Sequence, residues 1–107
     1  MLEFQTNKRE TMNSPEIKQF IREHSSLFWY TPEDKKEEIS VEFLVETILN
    51  YGDKNAVIQL FRLLGINKVA EVFFNSINIS QRRKGNYHEL TVNYFTYVFR
   101  KYAQKNI

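Results

Sequence analysis

Arg83 and His88 are the two residues whose types best suit catalysis in this sequence. They flank the four-residue segment Lys84-Gly85-Asn86-Tyr87. An arginine can stabilise negative charge on a phosphate, and a histidine can transfer protons near neutral pH. Held together, the two side chains would suit cleavage of a phosphodiester bond.

The spacing of Arg83 and His88 is similar to that of helical ribonucleases of the HEPN type, which implies RNA cleavage as one alternative. Those enzymes usually have an uncharged polar residue after the arginine and keep both residues on one helix. Here Lys84 follows the arginine, and Gly85 is expected to interrupt the helix. We therefore interpret the segment as a basic, solvated turn and keep ribonuclease activity as the weaker alternative.

Other catalytic and cofactor motifs are missing from the sequence. The chain has no cysteine, which excludes thiolate zinc sites and a cysteine nucleophile. His24 and His88 have no acidic companion at ligand spacing, so no metal site is predicted, and His24 is interpreted as a core or capping residue. The sequence has no Gly-x-Ser-x-Gly motif and no glycine-rich phosphate loop. We therefore predict a protein that is not an enzyme and has no cofactor.

Basic residues concentrate at the C-terminal end. Residues 80–107 carry six Lys or Arg against one Glu, whereas residues 1–79 carry nine Lys or Arg against twelve Asp or Glu. This asymmetry predicts an acidic partner, which is either nucleic acid or a protein surface. The candidate nucleic-acid contacts are Arg82, Arg83, Lys84, Arg100 and Lys101, interleaved with Tyr87, His88, Tyr94, Tyr97 and Tyr102. Alternatively, the cations complement a helix dipole and the tyrosines belong to the core.

The spacing of apolar residues predicts helices along most of the chain. The polar stretch 1–13 is expected to be a mobile tail, and residues 14–107 are expected to form one helical domain. Start signals at Ser14 and Asp53 and stop signals at Gly52 and Gly65 divide this domain into short helices. Both glycines are expected to end a helix, Gly52 in the left-handed conformation. A helix-turn-helix centred on Gly65 is disfavoured, because its small and apolar positions hold Phe61 and Glu71.

The periodicity is weaker toward the C-terminus. It breaks near Ile77 and resumes at Tyr87, where Asn86 and Glu89 resemble a capping box that opens the last helix. One side of that helix would carry Leu90, Tyr94, Val98 and Tyr102. Because residues 91–99 are rich in β-branched and aromatic side chains, a strand is the alternative there. The fold class that we predict is all-α, with five to six short helices.

Four large apolar residues follow one another at Leu27-Phe28-Trp29-Tyr30. They cannot all point inward from so short a segment, so we expect two or three to fill the core and one to be exposed. An exposed aromatic side chain with polar neighbours is a usual anchor of a protein interface. Trp29 and Tyr30 are therefore the candidate partner-binding residues, and a core role is the alternative.

Several motifs between residues 26 and 96 resemble those of a small uncharacterised helical domain family of bacteria. They are Ser26-Leu27-Phe28-Trp29, Glu46-Thr47-Ile48-Leu49-Asn50-Tyr51-Gly52-Asp53, Leu60-Phe61-Arg62-Leu63-Leu64-Gly65, Ile79-Ser80-Gln81-Arg82 and Asn93-Tyr94-Phe95. Members are often encoded beside nucleotidyltransferase-like toxins of the abortive-infection type. The resemblance therefore implies an antitoxin-like role, with such a toxin as the partner. Tyr30 departs from the family pattern, which has an acidic residue after the tryptophan.

The sequence shows no apolar run that would act as a signal peptide or cross a membrane, so we predict a cytoplasmic protein. The predicted function is a non-enzymatic protein-binding module, antitoxin-like by resemblance. Trp29 and Tyr30 would anchor the partner, and Arg82, Arg83 and Lys84 would steer it electrostatically. The alternative is a nucleic-acid-binding regulator that uses the basic C-terminal segment. The oligomeric state stays open at this point.

Overall fold

A computed structural model describes residues 13–79 and 85–103 of the chain. Every regular element in these ranges is helical, and they contain no β-strand. The predicted all-α fold class is thus confirmed, and the strand alternative for residues 91–99 is wrong. The chain divides into two compact units, Met1–Ser40 and Val41–Ile107.

The described part of the first unit, residues 13–40, contains one α-helix and two 3-10 helices. Their bounds are Pro15–Glu23 for α1, Ser25–Phe28 for the first 3-10 helix and Glu33–Glu38 for the second. Helix α1 begins as predicted, because Ser14 Oγ accepts a hydrogen bond from the Ile17 amide at 3.2 Å. At its end, His24 Nδ1 donates to the Phe20 carbonyl oxygen at 2.9 Å, in keeping with the predicted capping role.

Side-chain hydrogen bonds from Arg22 and Asn13 hold the second 3-10 helix in place within the first unit. Arg22 of α1 donates to Glu37 Oε2 at 2.7 Å and to Glu33 Oε2 at 2.9 Å. The side-chain amide of Asn13 donates to the Glu37 and Ile39 carbonyl oxygens at 2.8 and 3.0 Å. Asn13, the last residue of the predicted tail, is therefore held by two hydrogen bonds. The remainder of that tail, residues 1–12, lies outside the described residues, and so the predicted domain boundaries stay predictions.

In the second unit, residues 41–79 and 85–103 are described, and they contain four α-helices. Their bounds are Val41–Tyr51 for α2, Lys54–Leu64 for α3, Ile66–Ile79 for α4 and Glu89–Tyr102 for α5. The Asp53 carboxylate caps α3 by accepting from the Ala56 amide at 2.8 Å, and Gly65 ends α3 with a φ of +86°. The predicted left-handed conformation of Gly52 is wrong, since Gly65 is the glycine with positive φ among the described residues. Gly52 instead lies where an added Cβ atom would come within 2.7 Å of the Ile48 carbonyl oxygen and 3.1 Å of Ala56 Cβ.

Helix α4 is longer than the sequence predicted. The expected break near Ile77 does not occur, and the helix continues to Ile79. Its buried face includes Val69, Val72 and Phe73 and then Ser76, which is 4% exposed. Because Ser76, at the next inward position, is small and polar, the hydrophobic pattern ends before the helix does.

Aromatic side chains form the centre of the second unit. Phe73 and Phe99 are fully buried, and their ring centroids are 5.3 Å apart in an edge-on arrangement. Tyr87 and Phe95 pack on them at 5.3 and 5.5 Å, also as ring-centroid distances. The edge-to-face contacts of Phe73 with Phe99 and Tyr87, and the stacking of Phe95 on Phe99, add to the free energy of burying the rings. The inward face of α5 is thus formed by Phe95, Phe99 and Ala103.

Candidate protein-binding site

Trp29 and Tyr30 occupy the turn between the two 3-10 helices and project into solvent. Their side chains are 64% and 71% exposed, and the two rings stack with centroids 3.8 Å apart and planes inclined by 27°. The sequence predicted a single exposed residue in the segment Leu27-Phe28-Trp29-Tyr30. The structure exposes two, because Phe28 is fully buried, Leu27 is half-buried, and the turn that follows carries the next two side chains outward. The core alternative for Trp29 and Tyr30 is therefore wrong.

Hydrogen bonds on either side hold the backbone that presents the aromatic pair. The Leu27 amide donates to the His24 carbonyl oxygen at 2.9 Å, and the Thr31 amide donates to the Phe28 carbonyl oxygen at 3.0 Å. Lys36 of the second 3-10 helix donates from Nζ to the Ser25 carbonyl oxygen at 2.9 Å. A buried lysine thus links the two 3-10 helices across the turn, and it also pairs with Glu33 at 3.2 Å.

The polar surface of this unit is dominated by carboxylates. The second 3-10 helix carries Glu33, Asp34, Glu37 and Glu38 with two lysines, of which Lys36 is buried. The hydrogen bond from the Arg22 side chain holds the pKa of Glu37 below its ordinary value of 4.5, so this carboxylate is ionised at neutral pH. A partner that docks on Trp29 and Tyr30 would therefore meet an acidic flank on the second 3-10 helix.

The basic segment is only partly described. Arg82, Arg83 and Lys84 lie outside the described residues, so their predicted role in steering or in nucleic-acid contact stays a prediction. Arg100 and Lys101 are exposed in the last turn of α5. Lys101 Nζ lies 5.8 Å from the Tyr97 ring centroid and 5.5 Å from that of Tyr102. These cations complement the C-terminal end of the helix dipole, as the alternative interpretation expected.

The tyrosines around these cations are not core residues. Tyr94 and Tyr97 are each 62% exposed, and Tyr102 is about half exposed. The core interpretation is therefore wrong for these three side chains, because α5 turns its phenylalanines inward instead. It is right for Tyr87, which is 5% exposed.

His88, the histidine of the ribonuclease alternative, belongs to a polar network at the start of α5. It is the N-cap residue of that helix and makes no side-chain capping bond. Its Nε2 lies 3.2 Å from Tyr51 Oη, and its backbone amide donates to Asn50 Oδ1 at 3.1 Å. Asn50 Nδ2 donates in turn to the Asn86 carbonyl oxygen at 3.0 Å. Because Arg83 lies outside the described residues, the pairing of the arginine with His88 stays a prediction.

This network replaces the capping box that the sequence predicted. Helix α5 begins at Glu89, two residues after the predicted start, and Asn86 Nδ2 donates to Glu46 Oε1 at 3.4 Å. The cap that holds residues 86–88 is Asn50, which lies on α2, 38 positions before His88. No local sequence signal reports a capping partner so far away along the chain.

Replacing Asn50 with alanine is expected to lower the free energy of unfolding by about 1–2 kcal/mol, because two hydrogen bonds across the second unit are lost at a partly exposed site. Urea titration monitored by circular dichroism measures this change. The control is Asn55→Ala on α3, where the side chain is exposed and the expected change is within about 0.5 kcal/mol. Equal losses in the two variants would contradict the role assigned to Asn50.

A cleft of about 460 Å³ lies between α2, α3 and α5 of the second unit. Its lining is mainly apolar and aromatic, with Asp53 and Lys54 as the charged members. The Asp53 carboxylate already caps α3. Among the described residues, no group of three or more His, Asp or Glu side chains is placed to hold a metal ion. The described helices also include none that is long and apolar enough to cross a membrane.

Comparison of the chain with protein-family models, with curated proteins and with solved structures gives no match. The helices and the aromatic pair define the class by themselves. It is an all-α protein with an exposed, stacked aromatic pair. The resemblance to the small helical bacterial family stays a prediction.

Proposed function

We propose that this protein is a non-enzymatic binding module whose partner docks on Trp29 and Tyr30. The observation that carries the proposal is the exposure of both rings while they remain stacked on each other. Aromatic side chains enrich the centres of protein interfaces, where they bury large apolar areas. Most of the surface of both rings is in contact with water and is not used by the packing of this unit, so a binding role accounts for it better than a structural one.

The rigidity of the segment supports the same proposal. Binding costs free energy when flexible side chains become ordered, and a preorganised surface avoids part of that cost. The stacking of Trp29 on Tyr30 restricts both rings before a partner arrives. The buried Phe28 and the Lys36 hydrogen bond restrict the backbone beneath them.

The carboxylates of the second 3-10 helix indicate the chemistry of the partner surface. We expect an apolar pocket for the aromatic pair, bordered by Lys or Arg side chains that face Asp34 or Glu38. Glu33 and Glu37 already pair with Arg22, and Glu33 also pairs with Lys36. Charge complementarity of this kind raises the association rate and fixes the orientation of the partner. A toxin encoded beside this protein, as the family resemblance implies, is the first partner to test.

Nucleic-acid binding is the weaker proposal on the described residues. Arg100 and Lys101 are the exposed cations of the described C-terminal segment, and protein–DNA complexes commonly involve about 6–10 phosphate contacts. The two proposals differ in their response to salt. Affinity for DNA falls steeply as salt rises, whereas an interface anchored by aromatic residues responds weakly.

Substituting Trp29 with alanine is expected to weaken partner binding at least about tenfold, because the indole is the larger and more apolar ring of the exposed pair. The measurement is co-expression of the tagged chain with the protein encoded beside it, followed by isothermal titration of the two purified proteins at low and moderate salt. Tyr102→Ala is the matched control, since it also removes an exposed aromatic ring.

A stoichiometric complex that survives Tyr102→Ala and is lost with Trp29→Ala supports the binding module. Two outcomes overturn it. One is a complex that Trp29→Ala and Tyr30→Ala both leave intact, and the other is retention of nucleic acid alone, with an affinity that collapses as salt rises.

A further inference from the structure

One face of α5 carries a stripe of exposed residues. It consists of Leu90, Tyr94, Tyr97 and Lys101, which we call the α5 stripe. Leu90 is 80% exposed, and the two tyrosines are each 62% exposed. The spacing of four, three and four positions places all four on one side of a helix and is the spacing of a coiled-coil seam.

The stripe points away from the core of its own unit. Phe95 and Phe99 are buried on the opposite side of α5, half a turn from the stripe. Three large apolar side chains in a row on a solvent-facing helix surface mark an interaction site more often than a free surface. The question is which surface is complementary to it.

We propose that the partner of the α5 stripe is the α5 stripe of a second copy of this chain, packed antiparallel. The order of residues along the stripe is the reason. When two such helices run in opposite directions about a two-fold axis, Leu90 of one meets Lys101 of the other, and Tyr94 meets Tyr97. The spacing is the same from either end, so all four positions pair in one register. The centre is a cluster of four tyrosine rings.

The charges at the two ends of α5 favour this direction. Glu89 lies at the start of the helix and Arg100 eleven positions later, which is close to three full turns and places both on one flank. Antiparallel packing brings Glu89 of each copy to the basic end of the other, near Arg100 and Lys101. Parallel packing would instead bring like charges together at both ends and place Lys101 against Lys101, which is destabilising. Opposite charges therefore meet twice in the symmetric pair.

The size of the contact sets the expected affinity. A helix of 14 residues is about 21 Å long, so one pair of helices buries less than the roughly 1,600 Å² of a standard stable interface. We therefore expect a reversible dimer with a dissociation constant in the micromolar range. This inference does not rest on the binding role of Trp29 and Tyr30.

The first test is sedimentation equilibrium of the full chain over a concentration series that spans the micromolar range. Tyr97→Ala should weaken self-association about tenfold or more, because the symmetric contact loses the ring twice. Tyr102→Ala is the control, since it lies on α5 outside the stripe and should change the dissociation constant less than about twofold. Circular dichroism of each variant verifies that the helices remain folded.

The second test determines the direction of the helices. The chain has no cysteine, so Leu90→Cys and Lys101→Cys each introduce a single thiol. In an antiparallel pair, mixing the two variants under mild oxidation should yield the mixed disulfide and little of either homodisulfide, because only positions 90 and 101 come within disulfide distance. Homodisulfides in preference to the mixed product would overturn the antiparallel arrangement.

Three other outcomes overturn the proposal as a whole. In the first, the chain remains monomeric throughout the concentration series. In the second, the dissociation constant of self-association is the same for the wild type and for Tyr97→Ala. In the third, a labelled single-stranded oligonucleotide binds the monomer and Tyr97→Ala abolishes that binding, which would assign the stripe to nucleic acid. Failure of these tests leaves the Trp29 experiment unaffected, because its variants and its readout are different.

Discussion

Replacing Phe99 with alanine is expected to lower the free energy of unfolding by about 3–5 kcal/mol. Phe99 is fully buried, and its ring contacts those of Phe61, Phe73, Phe74 and Phe95 at centroid distances between 5.3 and 6.1 Å. Truncation removes the apolar transfer free energy and leaves a cavity that a cluster of rigid rings cannot close. A chain of this size has a total stability of roughly 5–15 kcal/mol, so the loss is a large share of it.

Guanidinium chloride titration, followed by the far-ultraviolet circular dichroism of the helices, measures this loss. Tyr102→Ala is the matched control, because it removes a similar ring from the same helix at an exposed position and should cost less than about 1 kcal/mol. A loss for Phe99→Ala that is no larger than for Tyr102→Ala would contradict the position of Phe99 at the centre of the second unit.

Substituting alanine for Gly52 is expected to destabilise the protein by about 1–3 kcal/mol, even though Gly52 does not adopt a left-handed conformation. A Cβ atom at this position would lie 2.7 Å from the Ile48 carbonyl oxygen and 3.1 Å from Ala56 Cβ. The Ile48 oxygen belongs to the backbone and also accepts a hydrogen bond from the Gly52 amide at 2.8 Å, so it cannot move aside cheaply. The glycine is needed because α2 and α3 approach closely at their two-residue connection.

The thermal unfolding midpoint of Gly52→Ala is a direct measure of this effect, with a fall of about 4–8 °C expected for each kcal/mol lost. Asn55→Ala in the first turn of α3 is the control and should leave the midpoint nearly unchanged, because its side chain is exposed. A stable Gly52→Ala variant would show that the connection has room for a methyl group.

The predictions that were confirmed rest on sequence signals that act within a few residues along the chain. Ser14 and Asp53 cap their helices as predicted because a capping side chain binds amides only two or three positions ahead. Gly65 ends α3 because a positive φ strongly favours glycine wherever it occurs.

The predictions that failed concern packing between helices, which residue type and spacing do not report. Gly52 is selected by its distance to Ile48 and Ala56 rather than by its own backbone angles. Ser76 continues the inward face of α4 although its side chain is polar. Asn50 holds the start of α5 from another helix, where a local capping box was expected.

The candidate sites also divide into features that the sequence determines and features that depend on the packing of the helices. The sequence by itself determined that this chain is all-α and that the segment 27–30 holds more large apolar residues than one short turn can bury. Only the tertiary structure decided that Phe28 is buried while Trp29 and Tyr30 are exposed, and that α5 turns its phenylalanines inward and its tyrosines outward. Composition and spacing state which side chains are apolar, but the packing of neighbouring helices determines which apolar side chains are covered.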